Sequence, residues 1–261
     1  MLYRLVRQIL AYPITQKYNT MNNQIKFILS ILTLFILFIS CEKDEVQPQG
    51  KTNAIFNESL TYGTVIDIDG NVYRTIEIGN QVWMAENLRV THFNNGELIS
   101  RGLIKMHGYP STAGNEPEYG SYNETNDKDS IATFGLLYNW ASVSDSRGIA
   151  PKGWHIPSKE EWELLISTLG GGTEAELKLR EVGKTHWYYL NLGDNTSGFT
   201  ALPSGQYNTG NFYGIGDWTA WWTSTGMDDL SAFAKQSSTL YPGEIRSTPL
   251  HMGLSIRCVK D

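Results

Sequence analysis

The sequence predicts an α+β domain of mostly antiparallel sheet, with two helices at about 158–169 and 174–182. Three observations predict it. Short β-type runs separated by Gly-containing turns fill residues 61–88, helical periodicity is confined to the middle of the chain, and short aromatic runs return after Trp187. Strands, then helices, then strands place helices against an antiparallel sheet rather than in alternating βαβ units.

The elements follow in order. Residues 65–68 and 72–76 flank Asp69-Gly70-Asn71, and Asp-Gly accepts the positive φ of a tight hairpin turn. Gly79-Asn80 makes a second turn into residues 81–85, which completes a three-stranded meander. Residues 94–130 are rich in Gly, Asn, Ser, Glu and Tyr without periodicity, and read as long ordered loop. Ser158-Lys159-Glu160-Glu161 is a capping box, in which the serine hydroxyl accepts from the third helical N–H and the glutamate reaches back. Trp162, Leu165, Ile166 and Leu169 then recur at i, i+3, i+4 and i+7, one apolar face that ends at Gly170-Gly171-Gly172. Thr173-Glu174-Ala175-Glu176 reads as a second capping box, opening a shorter helix to Val182 that Gly183 stops. The late strands are expected at 200–202, 205–207, 221–224, 233–235 and 254–259.

The first forty residues are different material. They hold Arg4, Arg7, Lys17 and Lys26 and no acidic side chain, and residues 27–39 read FILSILTLFILFI. Thirteen residues rise only about 20 Å as a helix, short of the roughly 30 Å hydrocarbon core of a bilayer. A cation, a short apolar run and a small residue make a secretory signal peptide. Met21 begins a compact signal with Lys26 as its charge, so residues 1–20 read as an over-extended start. Phe38-Ile39-Ser40-Cys41 resembles the lipobox of bacterial lipoproteins, with Phe38 where leucine is usual. Glu42-Lys43-Asp44-Glu45 resembles the export signal that carries Bacteroidetes lipoproteins to the outer face of the outer membrane. The resemblance implies acylation of Cys41, an outer-membrane lipid anchor and exposure at the cell surface. A single-pass anchor and an ordinary cleaved signal are the alternatives. A stable anchor needs two acyl chains, and a lipoprotein cysteine bears two or three. Residues 41–60 then read as a flexible polar tether and 61–261 as the domain.

Loss of residues 1–40 removes four of the 21 basic residues and none of the 27 acidic ones, leaving the mature chain near −10. That charge argues against nucleic acid or anionic lipid as a partner. The only other cysteine is Cys258, so the mature domain closes no internal disulfide and relies on its aromatic-rich core.

Six segments, in order, carry a family resemblance. They are Asp69-Gly70-Asn71-Val72-Tyr73, the run from Ile78 through Trp83-Met84-Ala85-Glu86-Asn87-Leu88, and Tyr138-Asn139-Trp140. Pro151-Lys152-Gly153-Trp154-His155-Ile156-Pro157-Ser158, Trp221-Trp222-Thr223-Ser224 and Ser255-Ile256-Arg257-Cys258-Val259 follow. Together they resemble the Fibrobacter succinogenes major paralogous domain of Bacteroidetes surface lipoproteins, over roughly residues 63–261. The resemblance implies a fold akin to C-type lectins and formylglycine-generating enzymes, with two helices against sheets and the chain ends paired near each other. It implies binding or adhesion at the cell surface rather than a defined reaction.

Each chemistry-bearing motif has a plainer structural reading. Glu86-Asn87 suits a buried pair serving loop backbone better than a ligand site. His155 sits before Pro157 and a helix cap, which suits a packing corner bonded to backbone. His92, His107, His186 and His251 show no HxH or HExxH spacing, so no metal site is expected. Glu116-Pro117-Glu118 is similar to the Glu-Pro-Asn of calcium-dependent lectins, but its third residue is Glu and no Trp-Asn-Asp follows. Asp127, Asp129, Asp228 and Asp229 read as solvated loop carboxylates. Cys258 lacks the second cysteine that formylglycine-generating enzymes use, and a lone Cys in a strand reads as a small apolar residue.

The aromatic cluster is the candidate for recognition. Tyr207, Phe212, Tyr213, Trp218, Trp221 and Trp222 interleave with Gly205, Gly210, Gly214 and Gly216. Trp222 is expected in the core, with Tyr207, Tyr213 and Trp218 partly exposed in a loop beside Asp217. Tyr and Trp dominate binding hot spots, and they equally build cores. The expected protein is a non-enzymatic surface module that binds glycan or protein without a cofactor. The alternatives are a structural component of a surface assembly, such as a pilus tip, and an enzyme of the formylglycine-generating type.

Overall fold

The computed structural model describes residues 50–103, 116–240 and 243–261; Cys41 and His107 lie outside these. β1 (Gly63–Ile66), β2 (Val72–Ile78) and β3 (Gln81–Met84) form the expected antiparallel meander. Asp67 builds the first turn, its carboxylate accepting from the Asn71 backbone N–H and side-chain amide, both at 2.9 Å. β7 (Trp154–His155) and β13 (Val259–Lys260) extend the meander to a five-stranded antiparallel sheet in the order β1-β2-β3-β13-β7. Val259 pairs with Trp83, so the end of the chain lies beside its early strands.

The second sheet contains β8 (Ser204–Asn208), β9 (Asn211–Ile215), β10 (Trp218–Gly226), β11 (Ser231–Ser238) and β12 (Ile245–Pro249). Its order is β12-β11-β10-β8-β9, antiparallel except between β10 and β8. A small third sheet joins β4 (Ser100–Arg101), β5 (Glu118–Gly120) and β6 (Leu137–Tyr138). The strip 254–260 stitches all three together. Leu254 bridges Tyr138, Ser255 bridges Trp221, and the Met84 N–H donates to the Cys258 carbonyl at 3.0 Å.

Among the described residues there are four α-helices rather than two: α1 (Lys128–Phe134), α2 (Trp140–Ser144), α3 (Lys159–Thr168) and α4 (Gly172–Leu179). The two additional helices are a turn or two long, too short to show a period. Each is announced only by its cap, Asp127 accepting from Asp129 and Ser130, and Asn139 from Ser142. α3 carries the expected capping box, with the Glu161 N–H on Ser158 Oγ and the Ser158 N–H on Glu161 Oε2 at 2.8 Å. The second box does not form. α4 starts from Gly171 with no side-chain cap, because Glu176 turns inward to Lys235 and Ser237, each at 2.5 Å. α4 also ends at Leu179, short of Val182, because Glu181 N–H leaves the helix to pair with the Ala201 carbonyl.

Further expectations need correction. Residues 94–130 include β4, β5, a 3₁₀ turn at Tyr122–Glu124 and the start of α1 rather than loop throughout. Residues 200–202 and 254–258 make isolated bridges instead of strands. Residues 50–60, assigned by composition to the tether, are docked on the domain. Phe56 is buried in the core, and the Ile55 N–H donates to Glu181 Oε1 at 2.6 Å.

Among the described residues the core has two large clusters and one small one. In one, Trp83, Trp162, Phe199 and Trp221 pack ring on ring, with Trp162 and Trp221 stacked at 5.5 Å. Arg257 is buried beneath them, its guanidinium 4.2 Å from the Phe199 ring centre. It donates to Asn87 Oδ1 and to the carbonyls of Phe199 and Thr200. Among the described residues no carboxylate is hydrogen-bonded to it, and burial pulls its pKa down to about 9. Among the described residues, no helix is long and apolar enough to cross a membrane.

Candidate functional site

The aromatic segment singled out above folds into the β8–β9 hairpin and the start of β10, not into a loop. Thr209 and Gly210 both take positive φ, 41° and 88°, the signature of a two-residue hairpin turn. The register pairs Asn208 with Asn211, Tyr207 with Phe212 and Gln206 with Tyr213. Directly opposed residues share a face, and successive residues alternate. Gln206, Asn208, Asn211 and Tyr213 therefore share one face, while Tyr207 and Phe212 share the other.

The two faces have different fates. Tyr207 is fully buried with Leu103 and Leu137, contrary to the expectation that it would be exposed. Its ring meets Phe212 at 5.2 Å, and Phe212 meets Tyr122 at 5.2 Å. Its hydroxyl accepts from the Gly210 N–H at 3.0 Å and so braces the turn. On the opposite face Tyr213 is 48% exposed and Asn211 is exposed, with Gln206 and Asn208 half-buried beside them. His251 closes one end, a ring nitrogen 3.1 Å from Asn208 Oδ1. Burial lowers the His251 pKa, which favours the neutral ring.

The remaining candidates scatter. Trp218 is half-buried against the core, at the start of β10. Asp217 is half-buried and accepts from the Thr239 hydroxyl at 3.2 Å. Trp221 and Trp222 are both fully buried, whereas alternation predicted one. Their rings enter different clusters, Trp221 reaching Asn87 Oδ1 and Trp222 the Tyr138 carbonyl. A strand with core on both faces buries both parities.

The other motifs make internal contacts. Glu86 accepts from the Arg74 N–H at 2.6 Å, and Asn87 donates to the Phe134 carbonyl at 2.8 Å. Asp228 Oδ1 caps a turn by accepting from the Leu230 and Ser231 N–H groups. Burial pushes the Cys258 thiol up, away from the reactive thiolate. His155 was expected to bond backbone; its ring instead bonds two carboxylates, Nδ1 to Asp261 at 2.7 Å and Nε2 to Glu161 at 2.8 Å. Among the described residues, no group of three or more His, Cys, Asp or Glu could hold a metal ion.

Sequence reasoning missed two features. The amides of Gln206, Asn208 and Asn211 were legible in their spacing across the Thr209-Gly210 turn. The second is Tyr188, Tyr189, Leu190 and Leu192, each more than half exposed, whose signal was an apolar run bounded by Gly183 and Gly193.

Fold and site together define an α+β domain in which a β-hairpin at the edge of the second sheet carries an amide-and-tyrosine face. The sequence matches the family model of the Fibrobacter succinogenes major domain over residues 76–260, and the chain belongs to that family. Comparison with curated proteins and with solved structures found no match.

Proposed function

We propose that this chain is a lipid-anchored, surface-displayed binding module without enzymatic activity, which engages glycan through the outer face of the β8–β9 hairpin. The observation that carries the reading is the pairing of an exposed Tyr213 with Gln206, Asn208 and Asn211 on one face. A flat ring flanked by amides offers an apolar surface for a sugar ring and donors and acceptors for its hydroxyls. A C-type-lectin-like arrangement of the fold is part of this reading, supported by β13 pairing into the sheet of the early strands. Outer-membrane anchoring rests on Cys41 and the acidic run behind it.

A glycan array probed with the mature chain tests the reading. Binding that falls at least tenfold in Tyr213→Ala and in Asn211→Ala, with the melting temperature unchanged, supports it. A silent array from folded protein sinks the glycan reading and leaves a protein partner, as in a surface assembly. Cys41→Ala is expected to lose the acyl mass and leave the membrane fraction.

A further inference from the structure

Among the described residues, the densest run of exposed apolar side chains lies between Tyr188 and Leu192. Residues 183–194 present Tyr188, Tyr189, Leu190 and Leu192 to solvent. Their backbone is pinned. Tyr188 N–H donates to the Gly216 carbonyl at 2.7 Å, and buried Trp187 donates through Nε1 to the Ala201 carbonyl at 3.1 Å. Asn191 turns inward, donating to the carbonyls of Glu181 and Gly183 at 2.6 and 2.8 Å and accepting from the Gly193 N–H. An ordinary surface loop points polar groups outward and apolar groups inward; between Tyr188 and Leu192 this one is held in the reverse arrangement. Exposed apolar patches of this kind mark protein or membrane contacts.

The path of the chain selects between them. His186, at the base of the loop, bonds Glu181 at 2.7 Å and Asn53 at 2.9 Å, and Glu181 also takes the Ile55 N–H. The first described segment, from residue 50, therefore runs along the base of this loop. Nine residues separate Cys41 from Lys51. Even fully extended, the ten steps between them span at most about 36 Å. A lipid on Cys41 thus holds Lys51, the start of the segment that reaches the base of the loop, within about 36 Å of the bilayer surface. Tyrosine suits that boundary, with an apolar ring and a wet hydroxyl, and leucine suits the acyl layer beneath.

We propose that Tyr188, Tyr189, Leu190 and Leu192 insert into the interface of the bilayer that holds the Cys41 lipid, forming a second attachment that orients the domain. The inference rests on acylation of Cys41. The occupant is lipid of low net charge, since the acidic mature chain gains nothing from an anionic surface.

The test uses the mature acylated chain in phosphatidylcholine vesicles, with a polarity-sensitive fluorophore on Leu190→Cys or on Leu230→Cys. Leu230 is 81% exposed in the turn at the far end of β10, and Cys258 is buried, so labelling is selective. The expected result is blue-shifted emission, quenched by spin-labelled lipid, at position 190 and not at position 230. Equal spectra at both positions in an acylated chain overturn the insertion alone. An intact mass without acyl groups overturns insertion and anchor together. A shift at 190 that needs no vesicles and grows with protein concentration overturns insertion in favour of a second copy of the chain.

Discussion

Gly205 and Gly214 fall opposite each other in the β8–β9 register, both at positive φ (68° and 80°). A Cβ on Gly205 would lie 2.5 Å from the Tyr122 ring and 2.6 Å from the Tyr213 carbonyl oxygen. The ring can shift but the backbone carbonyl cannot. Gly205→Ala is therefore expected to cost about 2–4 kcal/mol, combining left-handed strain with overpacking, as read by urea denaturation. His155 makes a pH-dependent prediction. Burial works against its charged form, but hydrogen bonds to Asp261 and Glu161 outweigh it and raise the pKa. Two carboxylate acceptors require both ring nitrogens protonated. A raised pKa stabilises fully below the unfolded value and is lost as pH rises through the folded one. Asp261→Asn is expected to lower the melting temperature at pH 5.5 and to match wild type at pH 9. The partly exposed geometry limits the effect to under about 1 kcal/mol. At this scale the aromatic and glycine pattern of the segment was legible, but its fold was not: read as a loop with both tyrosines partly exposed, it is a hairpin that sets Tyr207 and Tyr213 on opposite faces. Parity assigns opposite faces, but only the packing of Leu103 and Leu137 determines which tyrosine is buried.

α4 shows why a local motif fails at the scale of an element. Thr173-Glu174-Ala175-Glu176 has the same spacing as the box that caps α3, and only the distant partners differ. Lys235 on β11 is fully buried, and its ammonium donates to Glu176 Oε1 and to the Gln236 carbonyl, both at 2.5 Å. Ser237 donates to the other carboxylate oxygen. These partners lie 59 and 61 residues away, beyond any pattern in the helix itself. A buried pair is costly to break singly, because the survivor keeps its charge without compensation. Glu176→Gln is thus expected to destabilise by about 3–5 kcal/mol. The double variant Glu176→Leu with Lys235→Met should recover most of that loss, because no lone charge is left buried. A double variant less stable than the single one would show that the pair contributes net stability. The meander and α3 were legible for the opposite reason: their turn, cap and periodicity signals are all local.

The docked segment 50–60 bears on the anchor proposed at Cys41. Polar composition made it read as tether, yet its asparagines are what attach it. Asn53 accepts from Thr133 Oγ1 and meets His186, and Asn57 donates to the Asn195 carbonyl at 3.0 Å. Phe56 supplies the apolar part, lying under the Arg74 guanidinium at 4.1 Å and edge-on to Tyr62 at 5.5 Å. Composition cannot distinguish an asparagine that bonds water from one that bonds a carbonyl 138 residues away. With residues 50–60 docked, eight residues rather than nineteen separate the proposed lipid on Cys41 from the domain. Phe56→Ala is expected to cost about 3 kcal/mol, the lower end for a buried aromatic at the edge of a core. A chain starting at Thr61 should lose more, because Glu181 is fully buried and would also forfeit the Ile55 N–H. Urea midpoints measure both, and amide exchange at residues 181–186 reports whether the loss begins at the His186 clamp. If the shortened chain kept the wild-type midpoint, residues 50–60 would return to the tether, the domain would regain its reach from the lipid, and the geometric ground for insertion of the 188–192 loop would disappear with it.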